Sequence, residues 1–237
     1  MNKFKVNEMF PAIQGEGKTI GNPVVFIRFY GCNLHCPWCD SLYAIEGKEY
    51  TEMTVDDILL EVYKYPQIKK VVLTGGEPMV QLKNDLGREL LTELEREHEI
   101  EIETNGILLT EKMIENKYQF NVSPKFYSGN NYDWRKNYFP KRLKEVFNTT
   151  DSYMSSVKLQ FKFVLEHGEK RQECIDNINE FIKYFNIDKK YVYIMSEGQT
   201  FDEQKSRMKE DLEFCLQNGF NYTPRMHILV YNDKRGV

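Results

Sequence analysis

Val71-Val72-Leu73-Thr74-Gly75-Gly76-Glu77-Pro78 is a short apolar, β-branched run that breaks without a spacer into two glycines and a carboxylate. The run reads as a buried strand. Its glycines let backbone approach a ligand closely. The same shape recurs along the chain. Val24 to Phe29 leads into Gly31-Cys32, Ile100 to Glu103 into Thr104-Asn105-Gly106, and Gln119 to Val122 into Ser123-Pro124-Lys125. Val157 to Leu165 is a longer strand, and Tyr191 to Ile194 leads into Met195-Ser196-Glu197-Gly198. In parallel α/β folds the functional groups gather at the carboxyl ends of the strands.

Helical patterns lie between these strands. Ile58, Leu59, Val62 and Tyr65 form a stripe behind a Thr54–Asp57 capping box, and Leu86, Leu90, Leu91 and Leu94 form another. Ile175, Ile178, Ile182 and Phe185 share a face, as do Met208, Leu212 and Cys215 behind Thr200 and Glu203. The alternation predicts an α/β fold with a mostly parallel sheet and helices outside. About six strands are too few for a closed eight-stranded barrel, so the expectation is a partial, open TIM-like barrel. Residues 1–237 read as a single domain with an insertion at about 126–156, a stretch rich in Tyr, Asn and Lys that exceeds an ordinary connection.

Composition narrows the function. Hydrophobic residues are 41% and charged residues 29% of the chain, as in a soluble globular protein. The net charge of −4 and scattered Lys and Arg argue against nucleic acid as a partner. The N-terminus has no signal-peptide core, and no run approaches the ~18 apolar residues of a membrane span, so a cytoplasmic location is expected. Of five cysteines, Cys174 and Cys215 fall on helical faces and read as buried thiols. His98, within Glu-Arg-Glu-His-Glu, reads as a solvated helix residue, and His167 as structural.

The other three cysteines carry chemistry. Gly31-Cys32-Asn-Leu-His-Cys36-Pro-Trp38-Cys39-Asp40 is a Cys-x3-Cys-x2-Cys loop. Structural zinc wants four closed ligands, and His35, beside Cys36, is expected to point away from a common centre. One short loop can instead wrap a [4Fe–4S] cluster, giving thiolates to three irons and leaving the fourth open. A ferredoxin-like electron carrier, which ligates every iron, is the alternative from another class.

The cysteine loop, with an aromatic residue before its third cysteine and Thr-Gly-Gly-Glu-Pro after it, resembles the radical S-adenosylmethionine (SAM) enzymes. The resemblance implies that SAM chelates the open iron and, with one electron from the cluster, yields a 5′-deoxyadenosyl radical; no side chain need be catalytic. It implies cofactor contacts at Trp38, Asp40, Gly76, Glu77, Ser123, Pro124, Lys125, Met195, Ser196, Glu197 and Gly198, with Glu77 toward the cofactor's amino group.

The chain ends, Phe10-Pro-Ala-Ile13-Gln14-Gly15-Glu16-Gly17 and Met226-His227 to Val237, together with Asp40-Ser41, resemble one branch of that family. Its members contract 6-carboxy-5,6,7,8-tetrahydropterin to a carboxylated 7-deazaguanine with loss of ammonia, a carbon–nitrogen lyase step in 7-deazapurine (queuosine-type) biosynthesis. The resemblance implies pterin contacts at Ile13, Gln14, Gly15, Glu16, Arg28, Thr74, His227 and Val237. A guanidinium such as Arg28 clamps a carboxylate bidentately. The resemblance further implies Mg²⁺ held by Ser41, which keeps several waters, an electron donor of flavodoxin or ferredoxin type, and a homodimer. An activase that plants a glycyl radical on a partner protein is the rival within the family.

Overall fold

The computed structural model describes residues 3–36, 39–110, 113, 117–126 and 158–237. Most of the expected insertion, the start of the fifth expected strand at Val157, and Trp38 lie outside them. The strands are β1 (Phe4–Ile13), β2 (Pro23–Phe29), β3 (Thr51–Met53), β4 (Lys70–Gly75), β5 (Glu99–Thr104), β6 (Gln119–Val122), β7 (Leu159–Leu165), β8 (Val192–Ser196) and β9 (Asn221–Tyr222). Among the described residues the α-helices are α1 (Val55–Val62), α2 (Met79–Leu82), α3 (Asp85–Leu94), α4 (Arg171–Phe185), α5 (Phe201–Asn218) and α6 (Met226–Tyr231).

The described strands form one open sheet in the order β3-β1-β2-β4-β5-β6-β7-β8-β9. From β2 to β9 every neighbouring pair is parallel, while β1 runs antiparallel to both its neighbours. This is the expected partial barrel, wider than six strands. The additions are β1 and two edge strands, β3 and β9, of three and two residues.

The alternation of side chains across each strand creates two environments. Val25, Ile27, Phe29, Val71, Leu73, Ile100, Ile102, Phe120, Val122, Phe161, Phe163, Val192 and Ile194 join the buried apolar cluster shared with the helices. Residues one step away, including Arg28, Thr74, Glu101, Glu103, Asn121, Gln160 and Lys162, face the other side, the lumen. A register shift between Val6 and Glu8 marks a β-bulge in β1. Without it Val6 and Glu8 would share a face; with it Val6 stays in the core while Glu8 stands opposite Arg28.

Local signals set the helix starts. Thr54 and Asp57 exchange both capping-box bonds at α1, and Thr200 and Glu203 do so at α5. Each cap is worth about 1 kcal/mol. On α3 and α4 the expected stripes are buried apart from Leu86 and Ile175, which are partly buried against the core. On α5 the expected stripe is corrected. Cys215 is buried, but Leu212 is 40% exposed, and the inward positions are Gln204 and Asp211. Asp211 is held by Arg171 Nη1 at 2.6 Å and by His167 at 3.0 Å, so His167 is structural as read. Cys174 is buried as read. His98 is not solvated: α3 ends at Leu94, and the ring stacks on Tyr63 and is buried.

Candidate active site

The cysteine loop is fixed by the strand ends beside it. Gly31 N donates to Ala44 O at 2.8 Å, Glu77 N to Gly31 O at 2.9 Å, and Gly76 N to Phe29 O at 3.2 Å. A Cβ on Gly76 would stand 2.5 Å from Gly31 O, so the two segments touch only because this residue has no side chain. Asn105 Nδ2 donates to Asn33 Oδ1 at 2.8 Å, tying the loop to the end of β5.

Glu77 is buried beneath this junction. Its carboxylate accepts from Thr104 Oγ1 and Asn105 N, both at 2.7 Å, and from Met79 N at 3.1 Å. Burial nevertheless pushes its pKa up to about 7. A carboxylate so desolvated gains strongly from an approaching ammonium.

The thiols fit an iron–sulfur cluster. Leu34 N donates to Cys32 Sγ at 3.4 Å and Cys39 N to Cys36 O at 3.2 Å, which curls the loop. Burial pushes the Cys32 thiol up to about 11 and raises Cys36, against which the Lys125 charge works. Among the described residues no three His, Cys, Asp or Glu side chains close on a single ion. Three thiols on one loop, without a fourth closed ligand, are a poor zinc site and a suitable donor set for three irons of a cubane.

The lumen below is polar. Gln14 Nε2 donates to Glu101 Oε1 at 2.6 Å and to Glu103 Oε1 at 3.3 Å, and Asn121 Nδ2 bridges the same two carboxylates. Lys162, 2% exposed, pairs with Glu103 at 2.6 Å and Glu16 at 2.9 Å. Burial raises the Glu103 carboxyl, with Lys162 opposing it. For Glu16 the balance reverses. Burial opposes its charge, but Lys162 and Arg225 hold it far below the usual carboxylate range.

Register alters the expected placement of the substrate turn. Ile13 pairs with Pro23, the first residue of β2, so the turn leaves the sheet at the amino ends of the parallel strands, opposite the cysteine loop. It then crosses the lumen, with Gly17 N donating to Thr223 Oγ1 at 2.7 Å and Lys18 N to Gln160 Oε1 at 2.8 Å. Gln14 and Glu16 thus form a floor, while Thr74 and Glu77 belong to the upper end.

Gly15 O accepts Met226 N at 3.0 Å, and His227 Nδ1 lies 2.7 Å from where a Cβ on Gly15 would stand. Burial lowers the His227 pKa, which favours its neutral ring. Ile13 is 48% exposed and is not brought into the lumen. Arg28 stands opposite Thr74 in register, but its Nε donates to Glu8 at 2.6 Å, so its fork is partly engaged.

Asp40 and Ser41 follow Cys39. Ser41 Oγ donates to Asp40 Oδ1 at 3.2 Å, and Asp40 pairs with Arg225, which holds the carboxyl low against its desolvation. Two oxygen groups side by side suit a hard cation. The nearby Tyr43 donates to Glu8 at 3.1 Å, and Arg235 stacks on the Tyr43 ring at 3.5 Å. That contact anchors the tail two residues before half-buried Val237.

The remaining expected cofactor contacts cluster at the carboxyl ends of β6 and β8. Lys125 Nζ donates to Ser123 Oγ at 2.7 Å, and burial lowers the Lys125 pKa against Cys36 and Asp40. Pro124 is buried beside it. Met195 and Ser196 are buried, and the Ser196 hydroxyl lies 3.2 Å from Tyr222 OH. Glu197 pairs with Arg207 at 3.3 Å, so its side chain turns to α5. Gly198 O accepts from Gln204 at 3.0 Å and Arg225 at 3.1 Å.

The sequence reading missed Glu101, Glu103, Asn121, Lys162 and Arg225. A signal existed for four of them. Glu101 and Glu103 alternate with Ile100 and Ile102, Asn121 stands between Phe120 and Val122, and Lys162 interrupts an apolar strand. In a sheet covered by helices, a polar alternate face is a lumen. Arg225 has no local pattern at all.

The sequence model of the Radical SAM superfamily matches residues 26–209. The chain is 34% identical to 7-carboxy-7-deazaguanine synthase of Clostridium acetobutylicum, over 99% of each chain. It is 32% identical to the Halobacterium salinarum protein of that name, over 96% of this chain and 90% of the other. In fold it is similar to the crystal structure of QueE from Escherichia coli, with a TM-score of 0.68 at 20% identity over 95% of each chain.

Proposed function

Since the chain belongs to the 7-carboxy-7-deazaguanine synthase family of the radical SAM superfamily, we propose that its lumen is the chamber in which the pterin ring is contracted. The protein is an enzyme, a carbon–nitrogen lyase, converting 6-carboxy-5,6,7,8-tetrahydropterin to 7-carboxy-7-deazaguanine and ammonia. Its cofactors are a [4Fe–4S] cluster and SAM, which together supply a 5′-deoxyadenosyl radical.

The assignment of residues is our reading. Cys32, Cys36 and Cys39 hold the cluster. Glu77 takes the SAM ammonium, and the strand ends at Ser123 to Lys125 and Met195 to Gly198 enclose the rest of the cofactor; Trp38 is carried over from the resemblance as a further cofactor contact. The observation that carries the reading is vertical. The thiol loop is bonded to Glu77 and packs against Gly76 at the top of the same lumen whose floor is Gln14, Gly15 and Glu16. Gln14, Glu16 and His227 offer the acceptors and donors that a pterin edge requires. Arg28, with Thr74 opposite, takes the substrate carboxylate if its second nitrogen stays free of Glu8, and Ser41 holds Mg²⁺ against that carboxylate. Ile13 contributes backbone rather than side chain, and the Val237 end closes the near wall.

The reading extends to the whole chain as one domain, a cytoplasmic location and a flavodoxin- or ferredoxin-type donor. No described helix is long and apolar enough to cross a membrane. A homodimer is supported by the exposed apolar side chains of Leu216 and Val230, 82% and 61% exposed on α5 and α6. Anaerobic reconstitution with pterin, SAM, Mg²⁺ and a reductant should give 7-carboxy-7-deazaguanine. Reductive SAM cleavage without any deazapurine would overturn the chamber and favour a protein substrate.

A further inference from the structure

Arg225 lies between β9 and α6, 9% exposed, and spends all three of its nitrogens on three separate loops. Its Nε donates to Glu16 Oε1 at 3.1 Å, its Nη1 to Gly198 O at 3.1 Å, and its Nη2 to Asp40 Oδ2. The first partner is the floor of the lumen, the second the end of β8, and the third the segment immediately after Cys39. These partners stand 209, 27 and 185 residues away in sequence. Backbone reinforces the joint, since the next residue, Met226, donates to Gly15 O at 3.0 Å. Burial disfavours the guanidinium's charge, but Asp40 and Glu16 outweigh it, so the fork stays charged.

We propose that Arg225 is a positioning residue that makes pterin binding and SAM binding reinforce each other. The inference rests on the reading in which Glu16 meets the pterin and Gly198 and Asp40 border the cofactor. Either ligand, by ordering its own loop, sets the guanidinium in the orientation the other ligand needs. By thermodynamic reciprocity each then tightens the other by the same factor. A planar fork with fixed donor directions can do this, whereas a lysine ammonium, a single flexible point charge, keeps the charge and loses the geometry. Lys162 also holds Glu16, from the opposite side at 2.9 Å. Glu16 therefore keeps one anchor when Arg225 is replaced.

The test is the affinity of the cluster-loaded enzyme for the pterin, measured by titration with and without saturating SAM. In the wild type SAM should tighten the pterin about tenfold. Arg225→Lys should keep the cluster's optical spectrum and reduce that factor to about twofold or less. It should also release 5′-deoxyadenosine in excess of deazapurine. Asp40→Ala removes the acceptor of a single arm at a half-exposed side chain and serves where Arg225→Lys does not fold; it should reduce the factor in the same direction. An unchanged factor in a folded Arg225→Lys, or in Asp40→Ala if the lysine variant is lost, would overturn the inference, as would no linkage in the wild type. Failure of the wild type to make the deazapurine would instead remove the reading beneath it, so the two failures are told apart.

Discussion

Replacing Lys162 by Met should reveal how the lumen carries its charge. The side chain is 2% exposed and lies within 2.9 Å of Glu16 and 2.6 Å of Glu103. Breaking a buried ion pair by removing one partner costs about 3–5 kcal/mol. Two features place the loss near 3 kcal/mol, the low end of that range. Glu16 keeps Arg225 at 3.1 Å, and Glu103 can take up a proton because burial already raises its pKa. For a chain of this size 1 kcal/mol moves the melting temperature by roughly 2–4 °C, so a fall of about 6–12 °C is expected. Glu103, with a folded pKa raised above the unfolded one, favours folding most at low pH and loses that contribution as pH rises through its folded value. The deficit should therefore widen with pH. The double variant Lys162→Met, Glu103→Gln removes one charge of each sign and should recover most of the stability, to within about 1 kcal/mol. It should not recover KM for the pterin, because Glu16 still lacks one of its two anchors. The assay is scanning calorimetry under anaerobic conditions with parallel kinetics. A single variant that melts within about 2 °C of the wild type, or a double variant no more stable than the single, would refute the account.

Glu77, pushed up to about 7 from an ordinary 4.5, keeps in the folded state a proton that the unfolded chain has already lost. Without SAM its stabilising contribution should be full below about 4.5 and fade as pH rises through about 7, a change of roughly 3 kcal/mol. Saturating SAM in cluster-loaded protein should flatten that dependence, and an unaltered melting profile would count against the ammonium contact. Gly76→Ala sets a Cβ 2.5 Å from Gly31 O, a backbone atom, so iron content after reconstitution should fall severely; full occupancy would show the loop can yield. Ser41→Ala should raise the Mg²⁺ concentration needed for half-maximal turnover and leave the cluster spectrum unchanged. Turnover that ignores Mg²⁺ in the wild type would remove the metal from the site.

What could be read in the sequence was local. The Thr54 and Thr200 caps, the cysteine spacing and the glycines after Leu73 each reveal themselves within a few residues. β1 did not, because its bulge near Asn7 breaks the alternation and Pro11 interrupts the run of strand residues. His98 was misjudged from charged neighbours, since nothing local says that the chain turns back after Leu94 and lays the ring on Tyr63. The lumen was half visible: the period-two pattern of Ile100 to Glu103 was plain, but which face meets water depends on the helices that cover the other. Arg225 could not be found in this way, because its function consists entirely of partners remote in the chain.

That remoteness bears on biosynthesis. The turn after β1 and the segment after β9 meet across the gap in the sheet, through Gly17 and Thr223, Gly15 and Met226, and Glu16 and Arg225. Contacts spanning over 200 residues are the slowest to form and cannot exist on a partly synthesised chain. A ribosome-bound chain can shape the cysteine loop and the Gly-Gly-Glu-Pro junction while the chamber below still has no floor. Radical chemistry in an open chamber would spend itself on solvent and on the nascent protein. By drawing the segment after β9 into the joint that secures the turn after β1, the topology makes synthesis of both a condition of assembling the reaction vessel.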